Sequence, residues 1–258
     1  MDVFWTLPPV TRTITAAAVI ISALGYGGMV PLMPLVFFRE RILHIPPEIW
    51  RMVTSFLITG PKLSIVLDPY FLYNYGSSLE TESPRFTRPG DFFTYVAFVA
   101  LVILATGGMI LRGYMFLQAL ILAFAYTYSQ DNPTRRVSFF IITFEAKYLP
   151  YSMLFLTFIM AGPQEAMIQV CGLLAAHLFD FLTRIWPMFG GGTNYVTTPR
   201  IVQKWFGADN PAPRARGYGT AMPARQGDGP AQATATGRSF GFGGAWNGRG
   251  PGRRLGGD

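Results

Sequence analysis

The chain has 258 residues, half of them hydrophobic and only 14% charged, with a formal net charge of +7. A mean hydropathy of +0.30 with so few charges is unlike an ordinary soluble domain and points to a chain that crosses a membrane several times. A single cysteine, Cys171, excludes an intramolecular disulfide framework. The charge is uneven: residues 188–258 hold nine Arg or Lys against three Asp, so the first 187 residues carry only +1. A basic excess confined to one end is a sidedness signal and places that end in the cytosol.

Asp2–Arg12 combines Phe4, Trp5 and Leu7 with the Pro8-Pro9 pair, a short aromatic stretch suited to a membrane surface. It lacks the basic region and short apolar run of a removable signal peptide. Thr13 to about Phe38 is long enough to cross, and Gly25, Gly27, Gly28, Pro31 and Pro34 predict close packing followed by an irregular exit. Arg39–Arg51 reads as a loop ending in Trp50-Arg51. The second span runs from Val53 to about Tyr75, interrupted by Lys62 and Asp68, and Gly76–Asp91 is a loop of mixed charge. Phe92–Leu111 is the third span, Arg112-Gly113 a tight break, and Tyr114–Tyr128 a fourth span that is thin for a bilayer. After a polar break, the β-branched residues that begin at Val137 predict an extended stretch. Tyr148–Ala161 and Ala166–Ile185 are the fifth and sixth spans.

Six spans put both termini on one side. Nine basic residues (Arg12, Arg85, Arg88, Arg135, Arg136, Lys147, Arg184, Arg200 and Lys204) share that side, against Arg39, Arg41, Arg51 and Arg112 on the other, so both termini are expected in the cytosol. The tail after Phe206 is rich in Gly, Pro, Ala and Arg without periodic apolar residues, a composition that predicts disorder. The expected fold class is therefore an all-α polytopic membrane protein: a six-span bundle over residues 1–206, followed by a disordered cytosolic tail over 207–258.

Within the apolar stretch Cys171–Pro187, His177 and Asp180 are costly for a membrane segment. They act either as polar glue between helices or as residues of a substrate-facing groove. A histidine in the sixth span after a long first loop suggests the rhomboid layout, in which a serine on the fourth span pairs with that histidine. Tyr114–Tyr128 contains no serine or cysteine, Met115 stands where the nucleophile is expected, and Thr127 and Ser129 lie at the opposite end. Without a nucleophile in reach of the base, no catalytic residue, metal or cofactor is assigned.

Four stretches in order resemble the derlin family, the inactive rhomboid relatives of the endoplasmic reticulum. They are Ile49-Trp50-Arg51, Phe144-Glu145-Ala146-Lys147-Tyr148-Leu149-Pro150, His177 in its apolar segment, and the run from Gly190 to Pro199. The resemblance implies a rhomboid-like bundle in the endoplasmic reticulum membrane and a non-catalytic part in moving misfolded proteins to the cytosol for degradation. It implies that Trp50 and Arg51 handle substrate in the lumenal loop, and that Gly172 and Ala176 stand at the family's glycine-x-x-x-glycine helix-packing motif, with a methyl at the second position. It further implies that Gly250, Gly252, Arg253, Arg254, Leu255 and Gly256 form a box that binds the valosin-containing AAA ATPase. The usual aromatic is displaced to Trp246. A membrane RING ubiquitin ligase complex, misfolded proteins and the lipid bilayer are the other expected partners. Gly248-Arg249-Gly250 near Phe240, Phe242 and Trp246 would also suit a nucleic-acid tail, but a membrane host with a terminal box favours no nucleic acid. An active intramembrane protease and a transporter or channel are the alternative functions, the latter without an inverted repeat in its support.

Overall fold

In the computed structural model of the chain, the described residues form six helices of 13 to 19 residues, joined by one long irregular stretch and several tight turns. The structure describes residues 6–139, 142–189, 192 and 196–207. The terminal box expected to bind an ATPase lies outside the described residues, as do the rest of the chain after residue 207 and most of the run from Gly190 to Tyr195.

Helix α1 (Pro9–Tyr26) starts on a proline, whose fixed φ suits a first helical turn. The free amides of that turn are taken up by a carboxylate from a distant helix. Glu80 accepts from Val10 N at 3.0 Å, Thr11 N at 2.8 Å and Thr11 Oγ1 at 2.8 Å. An anion at a helix N-terminus meets both the orphan donors and the positive end of the helix dipole. After α1 the chain runs irregularly to residue 63, interrupted by the short helices α2 (Arg39–Leu43) and α3 (Arg51–Thr54).

Helix α4 (Ser64–Glu82) corrects the expected second span. It begins at Ser64 rather than Val53, because Gly60-Pro61 breaks the run and the residue before a proline is pushed out of the helical region. It also continues to Glu82, which turns much of the expected mixed-charge loop into helix and allows Glu80 to reach α1. Gly76 lets the two helices close together, since a Cβ there would lie 2.9 Å from Thr11 Cγ2.

Helix α5 (Asp91–Ile103) continues as a π-helix over Leu104–Ile110, and Arg112, at φ 55°, makes the expected break. Helix α6 (Leu117–Asp131) is the most enclosed: Leu120, Ile121, Leu122, Ala123, Phe124 and Ala125 are all at most 1% exposed. A helix apolar on every side belongs in the middle of a bundle, and α6 packs against α4, α5, α7 and α8. The β-branched stretch does form an antiparallel pair, β1 (Arg136–Phe139) with β2 (Ile142–Glu145), in which Arg136 faces Glu145.

Helix α7 (Leu149–Ala161) turns through Gly162, at φ 95°, directly into α8 (Pro163–Asp180). The last of these begins at Pro163, earlier than the expected Ala166, because proline is a good first-turn residue. A π-turn (Phe181–Ile185) and α9 (Trp186–Phe189) extend it. Helix α10 (Arg200–Trp205) docks back on the start of α5, where Val202 and Phe206 crowd Gly90. Among the described residues, three helices are long and apolar enough to cross a membrane: Pro9–Tyr26, Asp91–Ile110 and Pro163–Phe189. Ala146–Ala161 is a shorter apolar helix.

Replacing Glu80 by Ala should strand the first-turn donors of α1 and cost about 1 to 3 kcal/mol, with Glu80→Gln intermediate. Thermal unfolding in mild detergent, read by near-ultraviolet circular dichroism, measures the difference.

Candidate functional site

The stretch between α1 and α4 has little regular structure, so its backbone carbonyls need partners from side chains. Arg51 supplies them. Its side chain donates from Nη1 to Met33 O at 2.6 Å and Val36 O at 2.8 Å, pairs through Nε with the Glu48 carboxylate, and lies 5.6 Å from the Phe38 ring centroid. Arg51 is 5% exposed, so it is an internal pin for the loop rather than a charge reaching for headgroups. A planar fork of five donors suits that task. Trp50 beside it is 52% exposed and donates Nε1–H to Pro34 O at 3.3 Å. The two residues of the motif therefore divide: Arg51 organises the loop and Trp50 presents a surface. The loop is fastened to the bundle by Phe37 N to Tyr114 O at 2.9 Å and Phe116 N to Ser55 O at 3.0 Å.

Gly172 lies where α8 crosses α6. A Cβ at Gly172 would sit 1.9 Å from the Ala119 carbonyl oxygen and 2.6 Å from its carbon, so the two backbones are in direct contact. Ala176, one turn on and 1% exposed, continues this small-residue seam together with Ala175 and Ala123.

His177 and Asp180 share no partner. His177 is exposed, with Nδ1 2.8 Å from the Tyr126 hydroxyl of α6. Asp180 is 4% exposed and takes Arg85 on Oδ1 and Arg184 on Oδ2, the latter at 3.0 Å. Arg85 also pairs with Asp131 at the end of α6, and Asp131 in turn accepts from Ser83 Oγ at 2.6 Å. One guanidinium thus ties the ends of α6 and α8 to the α4–α5 loop. A cavity of about 580 Å³ opens beside it, lined by Arg85, Arg88, Arg184, Asp91, Asp131 and Asp180. Its acidic and basic groups balance. Thr198 donates to Asp91, which places the Thr197-Thr198-Pro199 end of the resemblance motif over this cavity.

A second polar group, unforeseen in the sequence, sits at the other end of α6. Asp68 Oδ2 accepts from Gly60 N at 2.9 Å and Gln118 Nε2 at 3.4 Å; Gln118 Nε2 also reaches Ser64 Oγ at 3.3 Å. Gln118 Oε1 accepts from Gln169 Nε2 of α8 at 3.3 Å. Gln169 is 5% exposed and its Oε1 has no hydrogen-bond partner among the described residues. A cavity of about 80 Å³ runs from these groups to the gap between α4 and α7, with Leu67, Met153 and Met160 on its apolar walls. Helices α4 and α7 each pack against α6 rather than extensively against one another, which leaves the gap. The only sequence signal for this cluster was Asp68 in a supposed span; the glutamines are uncharged and gave none.

A bundle of apolar helices with charged ends and a pinned loop defines a multi-pass membrane protein. Residues 7–200 match the family model described as the Der1-like family. Derlin-1 of Homo sapiens is 31% identical over 209 residues, covering 79% of this chain and 81% of the relative. Derlin-1 of Drosophila melanogaster is 27% identical over 203 residues, covering 77% and 80%, and Derlin-1 of Arabidopsis thaliana is 28% identical over 201 residues, covering 77% and 74%. The chain belongs to the Der1-like family.

Arg51→Lys keeps the charge but loses the fork. It is expected to cost on the order of 3 kcal/mol, because at least two charge-assisted bonds go. Limited proteolysis should then cut residues 31–50 faster, whereas Trp50→Ala, at a half-exposed position, should change cleavage little. Gly172→Val forces the α6 and α8 backbones apart. Its melting temperature should fall by several degrees, since overpacking costs roughly 1 to 3 kcal/mol, while Ala176→Gly should lose only the helix-propensity difference of about 1 kcal/mol.

Proposed function

We propose that the chain is a non-catalytic component of endoplasmic-reticulum-associated degradation that helps misfolded lumenal or membrane proteins back to the cytosol. The reading takes α1, α4, the α5 π-extended helix, α6, α7 and α8 as six spans with both termini cytosolic. The single observation that carries it is the polar cleft between α4 and α7 in a Der1-like domain, where Asp68, Gln118 and Gln169 meet the membrane-facing gap. Polar groups at such a gap lower the cost of passing a segment that lipid alone would reject. Length supports the same mechanism. Helix α7, whose Tyr151, Phe155 and Phe158 are exposed, has 13 residues. It is thus about 20 Å long, against a hydrocarbon core of about 30 Å, so the bilayer beside it thins.

The pinned first loop, with Trp50 on its surface, is the proposed lumenal contact for clients. Two observations favour an absence of chemistry: His177 bonds the phenol of Tyr126, and Ser64 accepts from the amide of Gln118. Neither pair joins a serine or cysteine nucleophile to a base. The C-terminal tail carries the pulling step, recruiting an AAA ATPase through Gly250, Gly252, Arg253, Arg254, Leu255 and Gly256. A membrane RING ubiquitin ligase complex completes the assembly.

Deleting Gly250–Asp258 is expected to abolish co-purification of the ATPase from gentle detergent while membrane insertion, read by carbonate extraction, stays intact. Retained ATPase would remove the terminal box from the proposal. Cleavage of a model transmembrane substrate that is lost in His177→Ala would overturn the non-catalytic reading.

A further inference from the structure

The cleft at the start of α6 is unusual in what it lacks. Asp68 is 6% exposed, yet no arginine or lysine pairs with it among the described residues, and both its hydrogen bonds fall on Oδ2. At the opposite end of the bundle, the side chains of Asp131 and Asp180 are also buried and both are held by Arg85. A buried carboxylate without a cation is costly, and so is a buried carbonyl without a donor. Gln169 Oε1 is such a carbonyl, and it belongs to the same hydrogen-bonded chain. The amide hydrogens of Gln118 and Gln169 are directed at Ser64, Asp68 and Gln118. What the cleft leaves over is acceptors.

Size narrows the ligand. A cavity of about 80 Å³ holds the head of one side chain and no more of a segment than that. Its walls of Leu67, Met153 and Met160 suit an aliphatic stem, with flexible thioethers that adapt to different shapes. Acceptors at the bottom and apolar walls above match a lysine or arginine side chain.

We propose that the Asp68–Gln169 cleft binds a single basic side chain of a client's membrane-inserted segment, so that it selects clients by a misplaced positive charge. This rests on the client-handling reading above and names the client class. Asp68 supplies the counter-charge, Gln169 Oε1 accepts a further hydrogen bond, and the rest of the client segment stays in lipid at the α4–α7 gap. A lysine stranded in hydrocarbon is disfavoured, and the cleft gives it a partner in place of water. Asp68 lies one turn inside the start of α4, so the selected charge lies at that depth.

The test uses the full chain in liposomes with a photo-crosslinking residue in place of Met160, which is 62% exposed at the rim of the cleft. The probes are leucine-rich transmembrane peptides that carry one Lys, Leu or Glu one to two turns from the end matching the Asp68 depth. The lysine peptide is expected to crosslink about tenfold more than the leucine peptide, the effect of one charge-assisted hydrogen bond. Asp68→Asn should bring the lysine peptide down to the leucine yield, and Asp68→Lys should transfer the preference to the glutamate peptide. That reversal also shows the variant to be folded. Equal yields for all three peptides on the native chain, or a lysine preference untouched by Asp68→Asn, would overturn the inference alone. No crosslink from any peptide would overturn the client-handling reading with it.

Discussion

The contact between Gly172 and the Ala119 carbonyl is the constraint on which the rest of the bundle depends. In a membrane, burial of apolar side chains gives helices little reason to leave lipid for one another, so close backbone approach is a main source of association. Once α8 lies directly on α6, the other helices can surround α6 and almost none of it faces outward. A helix enclosed by protein need not match the thickness of the bilayer. Helix α6 is short for that reason, and its two ends can carry Gln118 and Asp131 because protein groups wait there to satisfy them.

Those two ends are built differently. At one, Arg85 bridges Asp131 and Asp180, and removing one member of such a buried set typically costs about 3 to 5 kcal/mol because the others are left unpaired. At the other, Gly60 N holds the Asp68 carboxylate at 2.9 Å, but the side-chain amides bond at only 3.3 to 3.4 Å, and one acceptor is unused. The first end is locked, and the second is able to exchange partners. The client-handling role proposed above needs both.

The order of apolar segments was legible in the sequence because hydrophobic runs, Gly-Pro breaks and a β-branched stretch are local signals. Helix starts were less so. The sequence does contain Gly60-Pro61, and the physical rule that residues before proline leave the helix points to a late start for α4, but the apolar run from Val53 conceals it. Glu80 could not be placed by any local pattern. It reads as a loop carboxylate until Val10 and Thr11, about seventy positions away, are brought to it. Arg51 stood out through the resemblance, but its burial among the carbonyls of its own loop depends on a fold that no periodicity encodes. Gln118 and Gln169 carry no charge, and each is unremarkable until the α6–α8 contact sets them face to face.

Arg85 precedes its two partners by 46 and 95 residues. A chain made from its N-terminus therefore exposes this arginine well before Asp131 or Asp180 has been synthesised. During that interval it is a positive charge without its two partners beside the newly made α4, and in the proposed topology it is the kind that keeps a loop on the cytosolic face. When the last long helix arrives, the same guanidinium becomes the clasp that fastens the bundle shut. One side chain thus directs orientation early and seals the assembled fold late, and the distance along the chain between Arg85 and Asp180 sets how long the first role lasts.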